Sequence, residues 1–177
     1  MGTLNLFILF GALVLFCFAA ITDLQQRRIP NLLVLAVVAL AFIRMEIHFD
    51  SALVLDDIKW AGLVLVGGLI FWRLHWLGGG DVKLIFAGAL LVGASALTDY
   101  LVLTILLGGF LGILAFGDMW LERKYGWSTG LAFPRADMAL RAPDAPLPRK
   151  ASVPYGIAVS LSCVVTLLMH STVSGWH

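Results

Sequence analysis

The sequence predicts an all-α polytopic membrane protein of about six transmembrane helices, with its N-terminus outside and its main loop on the cytoplasmic side. Three observations predict it. Of the 177 residues, 60% are apolar and 13% are charged, where a soluble domain carries roughly 45–50% and about 25%; the mean hydropathy of +0.95 points the same way. The apolar residues fall into six runs separated by polar stretches. The basic residues are distributed very unevenly among those stretches. The near balance of 12 Lys and Arg against 11 Asp and Glu excludes a polyanion-binding surface as the main role, so no nucleic-acid partner is expected.

A spanning helix needs about 20 apolar residues, with roughly 17 as a minimum. The first run, Leu4 to Ile21, has 18 residues and no charge. It lacks a basic start and a good small-residue cleavage site, and Cys17 follows bulky Phe16, so it is expected to stay as a helix rather than leave as a signal or lipoprotein peptide. The second, Leu32 to Ile43, is short at 12 residues and must extend past Arg44 toward Phe49, the arginine snorkelling to the interface. The third covers about Trp60 to Trp76, and the fourth about Val82 to Thr98 with Lys83 near its start. The fifth is Tyr100 to Trp120, where Gly108 and Gly112 allow close helix contact. The sixth is Val153 to Met169.

Lys and Arg set the orientation. With the N-terminus outside, ten of the twelve fall inside: Arg27, Arg28, Arg73, Lys83, Arg123, Lys124, Arg135, Arg141, Arg149 and Lys150. Only Arg44 and Lys59 fall outside, where a loop also collects Glu46, Asp50, Asp56 and Asp57. Residues 122–152 form the one sizeable loop, with four of the six prolines inside it and Pro154 just after; a short amphipathic piece near Asp137–Arg141 could lie at the interface. The chain reads as one membrane-embedded domain over 1–177. Cys17 and Cys163 form no CxxC and read as packing residues. His48, His75, His170 and His177 lack metal-ligand spacing, so no metal and no cofactor is expected.

Two carboxylates need an explanation. Asp23 follows the first run, in Asp23-Leu24-Gln25-Gln26-Arg27-Arg28-Ile29-Pro30-Asn31, and Asp81 precedes the fourth, in Gly78-Gly79-Gly80-Asp81-Val82-Lys83-Leu84. The orientation puts both on the inner face at similar depth, and an ionisable group at a membrane boundary marks a functional site by default. Structural alternatives stand beside that reading. Asp23 could cap an interfacial turn, and Asp81 could open a helix, its charge meeting the positive end of the macrodipole. The three glycines weigh toward function, since they admit a close backbone at an entropic cost that a helix start need not incur.

Gly78-Gly79-Gly80-Asp81 fits the GxGD signature of membrane aspartyl proteases. Together with Asp23, Arg28-Ile29-Pro30-Asn31 and Asp81-Val82-Lys83-Leu84, it resembles the prepilin peptidase family, and Pro154-Tyr155-Gly156-Ile157-Ala158 resembles a further segment of that family. The likeness is to the short, peptidase-only branch, such as those serving tight-adherence (Flp-type) pili, because the paired CxxC motifs and N-terminal segment of the bifunctional members are missing. No methyltransferase activity is expected. The resemblance implies a multi-pass protein of the inner membrane with its active site at the cytoplasmic face. Its substrate would be a prepilin or pseudopilin precursor, cut where a short basic leader meets an apolar helix. A pilus assembly machinery would then be a possible partner.

On this reading Asp23 and Asp81 are the catalytic pair, one charged and one holding the shared proton. Gly78, Gly79 and Gly80 would make room for an extended substrate backbone, and Lys83 would meet an acidic substrate residue, tune Asp81 or simply anchor the inner face. Arg27 and Arg28 read as inner-face anchors, and Asp118 and Glu122 as a solvated helix end that could otherwise receive the basic leader. Three rivals are weighed. A small transporter would put acidic groups near span centres, and the span centres hold none. A non-catalytic subunit of a pilus or secretion system would leave the paired aspartate motifs without a purpose. A GxGD protease that cuts within helices would hold its first aspartate inside a span.

Overall fold

The computed structural model describes residues 3–26, 28–47, 51–125 and 155–173. Among these, six α-helices and one 3-10 turn account for the regular structure: α1 (Thr3–Gln26), α2 (Asn31–Ile47), α3 (Ser51–Arg73), α4 (Gly79–Val92), the turn Ala94–Ala96, α5 (Leu97–Tyr125) and α6 (Tyr155–Val173). Six helices in the predicted order are present. Two stretches, Asn5–Gln26 and Ala94–Asp118, are long and apolar enough to cross a membrane, and Tyr155–His170 is a shorter apolar helix.

The short helix α4 sits at the centre. Val82, Leu84 and every residue from Ala87 to Val92 are buried, so it is apolar all round, as a helix enclosed by others must be. It packs against α2, α3 and α6. The outer helices bury one stripe each. In α1 this is Ile8, Ala12, Phe16 and Ala19, and in α2 it is Leu33, Val37, Ala41 and Met45, both at helical spacing. Their opposite faces are apolar and exposed: Phe7 is 73% exposed and Leu32 77%. Such surfaces are unfavourable in water and suit hydrocarbon. Cys163 is buried among packed side chains, whereas Cys17 points outward, against the packing role expected of it.

Small and polar residues join α5 to α6. The hydroxyls of Thr104 and Ser162 lie 2.6 Å apart, a contact of the kind that binds helices where the hydrophobic effect cannot. Gly108 lies against the Tyr155 ring, as close helix contact requires, while Gly112 faces open space.

The helix ends correct the sequence reading in three places. First, α3 begins at Ser51 rather than Trp60, so Asp56 and Asp57 are helical rather than members of an outer loop. Their partners explain it: Asp56 lies 3.6 Å from Lys59 one turn on, and Asp57 forms an ion pair with Arg44 of α2. Arg44 therefore does not snorkel. It turns into the bundle, its side chain 11% exposed.

Second, the predicted fourth span breaks at Gly93, whose φ of 83° suits glycine. The chain turns there, and the Ala94 N–H donates to Asp57 Oδ1 at 2.6 Å. Third, α3 ends at Arg73 in a Schellman turn. The His75 N–H donates to the Trp72 carbonyl at 2.9 Å and the Trp76 N–H to that of Phe71 at 3.0 Å. The rings of Phe71 and Trp76 lie 5.7 Å apart, supplying the hydrophobic contact that accompanies the motif.

His75 takes the left-handed position, φ 62°, that glycine usually fills. Replacing it, His75→Gly, is expected to stabilise the protein by about 1 kcal/mol, read as a raised thermal midpoint in detergent; an unchanged midpoint would show that the turn carries no such cost. Of the loop predicted over 122–152, the first part continues α5 to Tyr125. The proline-rich remainder, Asp137–Arg141 included, lies outside the described residues, as do Asp50, His48 and His177.

Candidate active site

Asp23 and Asp81 stand at the same end of the bundle. Helix α1 carries Asp23 in its last turn, on the stripe that buries Ala12, Phe16 and Ala19, so the side chain is turned inward and 5% exposed. Because α1 continues to Gln26, Asp23 caps no turn of its own. Its Oδ2 accepts a hydrogen bond of 2.8 Å from the N–H of Gly156, in the first turn of α6. First-turn N–H groups have no partner within their own helix, and the positive end of the helix dipole lies there, so the place suits a carboxylate.

Asp81 opens α4. Gly78 is the N-cap, in extended conformation, and its carbonyl accepts from the Val82 N–H at 3.2 Å. The Asp81 carboxyl takes a backbone hydrogen bond from Gly78, as the acidic residue of a capping box does. The helix-opening alternative thus describes the position of Asp81 well. Its protonation goes further. Burial, and after it the charge of Asp23, push the Asp81 carboxyl up from 3.8 to about 7, against the pull of the Gly78 hydrogen bond. Asp81 stands just ahead of the apolar run that starts at Val82, and the two carboxyls are close enough to feel each other.

Two contacts lock the stretches that carry them. The Lys83 ammonium donates to Asn31 Oδ1 at 3.0 Å, and Gly80 faces Ile29, where a Cβ would stand in ordinary contact, 3.5 Å from the Ile29 side chain. The segment after α1 and the start of α4 therefore pack as one unit. A side chain at Gly78 would crowd the Asp81 carboxylate, with its Cβ 2.7 Å from Oδ2, and a Cβ at Gly79 would meet the Trp72 indole at 3.3 Å. Packing alone accounts for those two glycines. They form the cap and first turn of a helix, not an extended strand.

A sequence profile built on one family matches residues 8–115, more than half of the chain and inclusive of both aspartates. The chain belongs to the type IV leader peptidase family. No curated protein and no solved structure matches it. Membership makes it a peptidase-family protein, and together with the two long apolar helices it points to a membrane protein. The peptidase-family match ends before α6, so the Gly156 contact is supplied by the structure.

Gly156 escaped the sequence reading as a site residue. Its signal was a glycine at the start of an apolar run after Pro154-Tyr155, which gives no hint of the partner 133 positions away. Asp118 corrects a second expectation: on α5 it is 4% exposed rather than a solvated helix end. Among the described residues no three of His, Cys, Asp and Glu come together as metal ligands would.

Proposed function

We propose that this protein is an aspartic endopeptidase of the inner membrane that removes the basic leader from type IV prepilin or pseudopilin precursors, with Asp23 and Asp81 as its catalytic pair at the cytoplasmic face. The observation that carries the reading is the inequality of the two carboxyls. One is held by a helix N-terminus in a manner suited to charge, and the other is raised to about 7 beside it. A pair of environments that separate the two protonation states is what acid–base hydrolysis needs.

Asp23 accepts a proton from a water molecule as the water oxygen attacks the scissile carbonyl carbon. Asp81 donates its proton to the carbonyl oxygen and stabilises the tetrahedral intermediate. Collapse of the intermediate breaks the C–N bond: the leaving amine takes the proton that Asp23 received, and one hydroxyl of the intermediate returns its proton to Asp81 as the carboxylic acid forms. The cytoplasmic placement is supported by the uneven spread of Lys and Arg. Gly78, Gly79 and Gly80, which lead into Asp81, are assigned to passing the substrate backbone, and Lys83, two residues on, to meeting an acidic substrate residue. A basic leader suits the negative charge of the pair.

The test is co-expression of the protein with a candidate prepilin, followed by gel mobility and N-terminal sequencing of the product. A shortened product beginning at the leader–helix junction is expected from wild type and absent when both aspartates are replaced by Asn. Failure to shorten several prepilins, by protein shown to be folded and inserted, overturns the reading.

A further inference from the structure

Resting on the catalytic reading of Asp23, we propose that Gly156 is a positioning residue for that carboxylate, so that α6 sets the geometry of the pair although it carries neither aspartate. Two independent features of Gly156 converge on Asp23. Its N–H donates to Oδ2 at 2.8 Å in a buried contact. Its missing side chain allows the approach: a Cβ built there would lie 2.8 Å from Oδ2 and 2.9 Å from both Cβ and Cγ of Asp23. All three nearest atoms belong to that one residue. Any side chain at 156 therefore displaces the carboxylate or the helix start.

The other side of the same turn is fixed as well. Tyr155 sits against Gly108 of α5, where a Cβ would fall 3.2 Å from two of its ring carbons. The Thr104–Ser162 contact holds α6 to α5 two turns further on. Helix α6 is thus registered on α5 and offers a fixed N–H to Asp23. Asp23 also feels the charge of Asp81, and the Gly156 N–H is a hydrogen bond that reaches it from outside α1. Asp23 is the one charged residue of α1, and α2 carries Arg44 and Glu46 at its opposite end. On α4, Asp81 is the reaction partner and Lys83 is bound to Asn31; on α6, Tyr155 faces α5 and His170 lies at the far end beside Asp99.

Positioning errors of an ångström are enough to slow a bound reaction by about a hundredfold. The experiment uses the full-length protein in nanodiscs, with a prepilin that wild type cleaves. Gly156→Ala is expected to lower kcat at least ~100-fold with KM within about threefold of wild type. Thermal midpoints of wild type, Gly156→Ala, Asp23→Ala and the double variant complete a cycle that needs no substrate. Because the three atoms nearest the added methyl all belong to Asp23 and two of them vanish in Asp23→Ala, its cost is expected to be clearly larger in the wild-type background than in the Asp23→Ala background.

Should Gly156→Ala fail to fold, the double variant is still expected to fold, and its failure overturns the proposal. So does a kcat within threefold of wild type, or an equal loss of midpoint in both backgrounds, which would leave Gly156 a packing residue only. If wild type cleaves no prepilin while the cycle shows the coupling, the proposed function has failed and the positioning role falls with it. If wild type cleaves and Asp23→Asn does not, but Gly156→Ala does, only the positioning role is lost.

Discussion

Asp81→Asn removes cleavage, with kcat expected to fall by about four orders of magnitude, and Asp23→Asn does the same. Asparagine keeps the shape of the side chain and a carbonyl acceptor for the Gly78 N–H. It cannot hand a proton to the scissile carbonyl oxygen, as the proposed mechanism requires of Asp81. At position 23 the amide still accepts from Gly156, yet it cannot take the proton of the attacking water. Initial rates on a purified prepilin check both variants, and substantial residual cleavage by either one would sink the pair.

The pH dependence follows from the same geometry. Asp81 holds its proton up to about pH 7, so the wild-type rate is expected to fall as pH rises through that value. Stability carries an independent signature. A carboxyl raised in the folded state is released more easily by the unfolded chain, so wild type loses stability as pH rises from about 4 to 7. Asp81→Asn escapes that loss. Its thermal midpoint should exceed that of wild type above pH 7 and match it near pH 4, and equal midpoints at both would show that Asp81 is not raised.

The second large effect lies at the other end of the bundle. Arg44→Ala or Asp57→Ala is expected to destabilise the protein by about 3–5 kcal/mol, since either leaves a charge buried without its counter-ion. The ion pair joins α2 to α3. Through the Ala94 N–H on Asp57 and the Arg44 contact to the Leu90 carbonyl at 3.5 Å, it also fixes the end of α4. Removing both charges together, as Arg44→Met with Asp57→Asn, is expected to cost clearly less than either alanine variant, because Asn still accepts from Ala94. Thermal denaturation in detergent compares the three; a double variant as unstable as the singles would show that the charges are not what matters.

Much of this fold is legible in the chain. Apolar run lengths place six helices, and alternation of direction puts the end of α1 and the start of α4 together, which is why Asp23 and Asp81 can be paired from their positions in the chain. What stays hidden depends on partners far apart in sequence. Hydropathy reads Asp56, Asp57 and Lys59 as loop residues, because it cannot see that Arg44 awaits Asp57 across the bundle. It runs through Gly93 as one apolar residue among many, although the backbone reverses there. The glycines before Asp81 invite a reading as substrate space, yet the neighbour that crowds a side chain at Gly79, Trp72, comes from the preceding helix. Gly156 shows the limit most clearly, for a backbone N–H has no letter in the sequence.

The brevity of α4 has a mechanical corollary. Its 14 residues rise about 21 Å at 1.5 Å each, roughly two-thirds of a hydrocarbon layer about 30 Å thick. If the Gly93 end lies level with one boundary, the chain from there to Asp81 rises only about 18 Å, so the layer must thin by about 12 Å for that carboxyl to stand at the other. A carboxyl that meets water at a membrane boundary therefore requires the bilayer to dimple around the short helix. Cleavage should then respond to lipid chain length as well as to the substrate, with thin bilayers bringing solvent to the aspartates and thick ones burying them.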